Sequence, residues 1–234
     1  MNPKLAAAAE AAKLVRDGQV VGLGSGSTAE LAILELGKRT QEEGMRIIGI
    51  PTSRKSEAVG RGAGIPISTL DEHDVVDITI DGADEVDPNL DLIKGLGGAL
   101  LREKIVAGAT KKEVIVIDES KLVERLGTRA PLPVEVIQFS HEHLGRKLAS
   151  LGCIPKLRLM DEKPFVTDNG NYIYDCTFAN GISEAKSIDS RLQSMPGVVE
   201  TGLFIGIADL VIVGSSSGVR VIRRSELDEE CLLR

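Results

Sequence analysis

The sequence predicts an α/β fold: a Rossmann-like, mostly parallel sheet domain with an inserted ferredoxin-like α+β domain. Three observations carry this. Short apolar runs alternate with helix-forming segments through the first half of the chain, the pattern of strands joined by crossover helices. After Pro131-Leu132-Pro133 strand and helix patterns succeed one another in the manner of a ferredoxin-like unit. The apolar strand style of the first half then resumes at Asp209–Val213. The sheet domain is therefore expected over 1–130 and 206–234, and the ferredoxin-like domain over 131–205.

The elements follow in order. Lys4–Arg16 is alanine-rich and reads as a helix stopped by Asp17-Gly18. Val20–Leu23 is a strand, Thr28–Lys38 a helix, Arg46–Ile50 a strand and Ser53–Gly60 a short helix. Val75–Ile80 and Glu113–Ile117 are strands, with a helix over Ala99–Ala109 between them. In the insertion, Val134–Phe139 is a strand, and Ser140 is a capping residue for a helix running through His143 to Ser150. Ile154–Met160 and Phe165–Thr167 are strands. Asp168-Asn169-Gly170-Asn171 signals a turn into a strand over Tyr172–Phe178. Ser187–Ser194 is a helix and Gly197–Phe204 a strand.

Composition removes several classes of function. The 234 residues carry a formal net charge of −7, which disfavours a general nucleic-acid binder. No apolar run reaches the roughly 20 residues that span a bilayer, and Met1–Glu10 lacks the pattern of a signal peptide, so a soluble cytoplasmic protein is expected. Cys153, Cys176 and Cys231 are odd in number and far apart, which fits neither a disulfide framework nor a zinc site. His73, His141 and His143 read as surface or capping residues.

In open α/β sheets ligands collect beyond the carboxyl ends of strands. Here those ends lead into Gly24-Ser25-Gly26-Ser27-Thr28, Pro51-Thr52-Ser53, Asp81-Gly82-Ala83-Asp84-Glu85, Asp118-Glu119-Ser120-Lys121 and Gly214-Ser215-Ser216-Ser217-Gly218. The first loop opens a helix, whose N–H groups and dipole suit an anion. It is a weak dinucleotide fingerprint, because the next strand ends without the acid that would bind a ribose, and it lacks a Walker lysine. A phosphate cradle or a plain turn are the readings left. The Asp81 loop suits acid–base work, a Mg²⁺ site or a solvated turn.

Lys94-Gly95-Leu96-Gly97-Gly98-Ala99 brings a cation and close-approaching backbone to the start of a helix. On that helix Glu103 has Ala99, Leu100, Val106 and Ala107 at helical spacing, an apolar face. A carboxylate buried there is expected to have a raised pKa, as a general base requires; the alternative is simple pairing with Arg102 or a nearby lysine.

These blocks, with Lys94–Lys104 read as one unit and Pro133-Val134-Glu135-Val136 following, resemble the signature segments of type A ribose-5-phosphate isomerases in order and spacing. The resemblance covers nearly the whole chain. It departs at Leu96, where the family carries glycine, a change expected to tighten the loop or shift an N–H. The resemblance implies reversible conversion of D-ribose 5-phosphate to D-ribulose 5-phosphate through a cis-enediolate, in the non-oxidative pentose phosphate pathway, with no metal or other cofactor. It implies Glu103 as the base between C2 and C1, Asp81 as the group assisting ring opening, and Asp84 and Lys94 as positioning groups, with Lys94 steadying the enediolate oxygen. Ser25, Gly26, Ser27, Thr28 and Lys121 would hold the phosphate end. Gly82, Ala83, Gly95, Leu96 and Gly97 would line the substrate. It further implies a homodimer or dimer of dimers, with the insertion serving subunit contact. Two rivals remain: a sugar-phosphate sensor, normally attached to a DNA-binding helix-turn-helix, of which no basic recognition helix is seen, and a CoA-transferase-like enzyme with a glutamate nucleophile.

Overall fold

The computed structural model describes residues 2–227. Its elements are α1 (Pro3–Ala12), β1 (Val20–Leu23), α2 (Ser27–Glu42), β2 (Ile48–Pro51), α3 (Arg54–Gly62), β3 (Ile78–Asp81), β4 (Glu85–Val86), β5 (Leu92–Ile93), α4 (Leu100–Gly108) and β6 (Glu113–Asp118). A short 3-10 helix, Glu119–Lys121, follows. Then come β7 (Leu132–Val136), α5 (His141–Ala149), β8 (Ile154–Leu157), β9 (Leu159–Met160), β10 (Lys163–Pro164), β11 (Tyr172–Thr177), α6 (Ala185–Gln193), β12 (Val198–Thr201), β13 (Leu203–Phe204), β14 (Leu210–Ser215) and β15 (Gly218–Arg223). Two compact units result: residues 2–83, 102–121 and 206–227, and residues 84–101 and 122–205. Cys231 lies outside the described residues.

The first unit is built on a six-stranded sheet in the order β15-β14-β6-β3-β1-β2, parallel except for β15 at one edge. Strand β1 has β3 on one side and β2 on the other, so the direction of winding reverses between β1 and β3. Val21 and Leu23 of β1, Ile78 and Ile80 of β3, and Val114 and Val116 of β6 face a core shared with Ala7, Ala8, Ala11 and Ala12 of α1 and Ala32, Ile33 and Leu36 of α2. The opposite face carries Val20, Ile50 and Val76 packed with Val106 of α4. Helices thus cover both faces, and β1, β3, β6 and β14 are buried on both sides, whereas edge strand β15 is largely open.

Local chemistry explains the helix ends. Asn2 caps α1 by accepting the Lys4 N–H at 3.1 Å, with Pro3 at its first turn. The helix stops at Ala12, short of the expected Arg16. There the Arg39 guanidinium takes the carbonyls of Ala12 and Val15 (2.5 and 2.9 Å), and Gln19 accepts the Arg16 N–H (2.7 Å). Helix α2 runs past the expected Lys38, extended by the Arg39–Glu43 pair. Ser53 caps α3 in a reciprocal box with Ser56.

The second unit holds a four-stranded antiparallel sheet, β12-β7-β11-β8. With α5 after β7 and α6 after β11, this is the ferredoxin-like arrangement. Leu132, Val134 and Val136 of β7 meet Leu144 and Leu148 of α5, Tyr174 and Cys176 of β11, and Leu192 of α6. Strands β4, β5 and β13 form a small sheet of their own.

Two local expectations are corrected here. Ser140 stands before α5, but in a left-handed conformation (φ 55°, ψ 30°) rather than the extended one that aims a capping hydroxyl, and it makes no such bond. Phe165–Thr167 is not a strand; the ribbon is β9–β10, and the Thr167 hydroxyl and the Asn169 and Asn171 amides instead bind the buried Glu135 carboxylate.

Candidate active site

The predicted residues fall into two sets, one in each unit. In the first unit the β1 and β3 carboxyl ends lie side by side at the winding reversal. Gly24 permits this, since a Cβ there would sit 2.4 Å from both the Cα and the Oδ1 of Asp81. The Gly24 N–H donates to Ile80 O at 3.0 Å. Asp81 is 1% exposed, and its Oδ1 accepts the N–H groups of Ser25 (2.9 Å) and Gly82 (2.7 Å). Three hydroxyls interlock nearby: Ser25 Oγ lies 2.8 Å from Thr52 Oγ1 and donates to Ser53 Oγ at 2.8 Å. The Ser25 hydroxyl is thus held by the end of β2.

Gly26 takes φ 94° and leads into α2 with no side-chain cap, so Ser27, Thr28 and the following N–H groups form a bare positive helix end. Lys4 reaches this end from α1, its Nζ donating to Ser27 Oγ at 3.0 Å. Lys4 and Lys121 also act on Asp118. Partial burial raises its pKa, but the Ser120 hydroxyl and N–H and the two ammonium groups outweigh that and hold the carboxyl below its ordinary value. Lys4 was invisible to sequence reasoning: nothing local marks it, and only the packing of α1 brings it 23 positions along the chain to Ser27.

Glu103 lies on α4 and is 5% exposed, and Ala99, Leu100, Val106 and Ala107, its neighbours at helical spacing, are buried with it. The foot of this helix is pinned under β3: Val76 N–H donates to Ala109 O at 2.9 Å, and Thr79 Oγ1 lies 2.7 Å from Thr110 Oγ1. At about 1.5 Å rise per residue, Glu103 stands roughly 9 Å above Ala109, toward the strands' carboxyl ends. Ile78 and Ile80 face the α1–α2 core, so Thr79 and Asp81 alternate onto the face that α4 covers.

In the second unit, Asp84 donates its N–H to Ile93 O at 2.8 Å, and its Oδ2 accepts the Leu96 N–H at 2.9 Å. Lys94 is 2% exposed; its N–H donates to Gly202 O, and its Nζ lies 5.4 Å from the Phe204 ring centre. Gly95 and Gly98 take φ of 101° and 83°, which only glycine adopts without strain. Leu96 is not among the positive-φ residues, and its side chain points outward. A leucine fits the loop with its N–H still engaged. Gly97 is exposed.

The acidic turn proves heterogeneous. Glu85 is 1% exposed and accepts N–H groups from Gly127 (2.5 Å), Arg129 (2.6 Å) and Ala130 (2.7 Å), so its carboxylate anchors that loop. Among the described residues no group of three or more His, Cys, Asp and Glu is arranged to hold a metal ion. His141 meets the Tyr174 hydroxyl at 3.1 Å and the edge of Tyr172, and Cys153 and Cys176 are buried.

A doubly wound domain with buried carboxylates and a cation-flanked helix N-terminus at its strand ends has the features of an enzyme for a small anionic substrate. The sequence profile of ribose 5-phosphate isomerase A (phosphoriboisomerase A) matches residues 48–218. A ribose-5-phosphate isomerase A from Bacillus mycoides (strain KBAB4) is 49% identical over 220 residues, covering 94% of this chain and 99% of that protein. A solved ribose 5-phosphate isomerase A from Methanocaldococcus jannaschii is 45% identical, with a TM-score of 0.90 over 95% of this chain and 98% of its own. A D-ribose-5-phosphate isomerase solved in complex with phospho-erythronic acid is 40% identical, with a TM-score of 0.93 over 96% and 100%. The chain belongs to the ribose 5-phosphate isomerase A family.

Proposed function

We propose that the chain interconverts D-ribose 5-phosphate and D-ribulose 5-phosphate through a cis-enediolate, in the non-oxidative pentose phosphate pathway. The observation that carries the reading is the burial of Glu103 on an otherwise apolar helix face. Isomerising an aldose needs one base able to take a proton from C2 and return it to C1. A buried carboxylate suits that shuttle, because one base held away from bulk water can serve two adjacent carbons in turn.

In this reading Asp81 assists ring opening by moving a proton between the sugar's hydroxyl and ring oxygens, held in place by its two backbone donors. Glu103 removes the C2 proton. The electron pair forms the C1–C2 double bond and charge moves onto O1, where Lys94 steadies it. The hydroxyl proton passes from O2 to O1, Glu103 returns its proton to C1, and a ketone is left at C2. Asp84 positions the hydroxyls. The N-terminus of α2, with Ser27, Thr28, Lys121 and Lys4, takes the phosphate; binding energy there orients the distant reacting carbons. The ligand of the solved relative, a phosphorylated four-carbon sugar acid, supports this, since a carboxylate shares the planar two-oxygen shape of an enediolate.

No helix among the described residues is long and apolar enough to cross a membrane, and we place the enzyme in the cytoplasm. It is proposed to act as a homodimer or dimer of dimers joined through the second unit, where Phe139 (83%), Ile154 (74%) and Met160 (61%) are exposed. Glu103→Gln tests the chemistry: turnover should vanish while ribose 5-phosphate still binds, and near-native activity would remove Glu103 from the mechanism. Activity should persist in excess EDTA; its loss and recovery with Mg²⁺ would overturn the metal-free reading.

A further inference from the structure

We propose that Arg158 is a positioning residue for this isomerisation, setting the peptide planes of the glycine loop that follows Lys94. Arg158 precedes the β9–β10 ribbon, and its side chain is 12% exposed. Its Nε and Nη2 donate to the two oxygens of Asp175 at 2.9 and 2.5 Å, a bidentate clamp that fixes the guanidinium plane. Nη1 donates to two consecutive carbonyls, Gly95 O and Leu96 O, each at 3.0 Å. The guanidinium also lies 5.8 Å from the Phe165 ring centre, and Phe165 fills the space beside Gly98, where a Cβ would come within 2.5 Å of its ring. The loop is closed by Gly98 N–H on Gly95 O at 2.9 Å.

In a trans peptide the carbonyl and the following N–H point opposite ways. Turning the Gly95 carbonyl to Arg158 therefore turns the Leu96 N–H away from it, and that N–H meets Asp84 Oδ2 at 2.9 Å. Turning the Leu96 carbonyl the same way sends the Gly97 N–H away from Arg158 too. Arg158 thus aims two successive backbone donors, one onto Asp84 and one onto the outer side of an exposed glycine. Paired donors of this kind form a concavity suited to negative oxygen. Lysine cannot replace the arginine here, because its single ammonium does not supply a planar fork for a carboxylate and two carbonyls together.

The inference rests on the reading of Asp84, Lys94 and the glycine loop as substrate-handling groups. The test compares Arg158→Met, Arg158→Lys and Lys94→Met by kcat, KM, thermal midpoint and hydrogen exchange of the Leu96 amide. Arg158→Met is expected to lose about 10²-fold in kcat, the scale of a small misplacement of catalytic groups, with KM within about threefold. Guanidinium ion should restore part of that loss, and Leu96 exchange should quicken. Arg158→Lys, which keeps the charge beside Asp175 and with it the fold, should lose about tenfold. A folded Arg158→Met or Arg158→Lys enzyme with native kcat and native Leu96 exchange overturns the proposal while Lys94→Met is inactive. An active Lys94→Met instead overturns the reading beneath it. A loss confined to KM or to thermal stability assigns Arg158 to binding or folding alone and also refutes the proposal.

Discussion

Glu85→Gln separates structure from catalysis within a single acidic turn. Glu85 Oε1 accepts from Arg129 and Ala130, and Oε2 from Gly127. Glutamine keeps the shape and one acceptor oxygen but sets an amide N–H₂ against the Gly127 N–H. One charge-assisted bond, about 1.5–3 kcal/mol, is lost, and the remaining two weaken toward neutral strength. Removing a buried charge relieves part of its desolvation cost, so the net loss comes to about 2–3 kcal/mol. With a urea slope of about 2 kcal/mol/M, the midpoint should fall by roughly 1–1.5 M. The readout is selective. The chain has two tyrosines and no tryptophan, and Tyr172 and Tyr174 both lie on β11, so tyrosine fluorescence follows the second unit. Below the transition, kcat should stay near native. An unchanged midpoint refutes the anchoring role, and a lost kcat with an unchanged midpoint makes Glu85 a participant in the chemistry.

Further outcomes follow from the same geometry. Gly24→Ala, whose Cβ would fall 2.4 Å from Asp81, should destabilise by about 1–3 kcal/mol in denaturant melts and sharply lower kcat. Lys4→Ala should raise KM for ribose 5-phosphate about ten- to a hundredfold in steady-state assays, with kcat little changed, since a charge-assisted contact is worth about 1.5–3 kcal/mol. Leu96→Gly should leave kcat within about twofold and stability within about 1 kcal/mol, because Leu96 is neither left-handed nor packed. Asp77 is held below its ordinary pKa by Lys111 and the Val20 N–H. Its contribution to stability is therefore complete above the unfolded value near pH 4 and lost as pH falls through the lower folded value. Asp77→Asn should flatten the acid limb of a stability–pH curve.

The legible parts of the fold were those governed by local pattern. Strands β1, β3, β6 and β14 are short apolar runs, and the neighbours of Glu103 at helical spacing foretold its burial. What escaped depends on distant partners or very short elements. Two-residue strands such as β4 and β5 have no periodicity to read. Edge strand β15, Gly-Val-Arg-Val-Ile-Arg, carries too much charge to match its apolar neighbours. The end of α1 is decided by Arg39, 27 positions beyond the Ala12 carbonyl it binds. Within the acidic turn, composition cannot tell Glu85, committed to three backbone donors, from Asp81 and Asp84. Lys4 and Arg158 acquire meaning only through residues far along the chain.

Solvent hydrogen exchange during turnover bears on the central assignment most directly. Where the proton held on Glu103 exchanges with solvent before it reaches C1, ribose 5-phosphate incubated with the native enzyme in D₂O should give ribulose 5-phosphate carrying deuterium at C1, seen by proton NMR, and the Glu103→Gln enzyme should leave the carbon-bound protons untouched. Deuterium entering at the native rate in the Glu103→Gln enzyme would contradict the assignment.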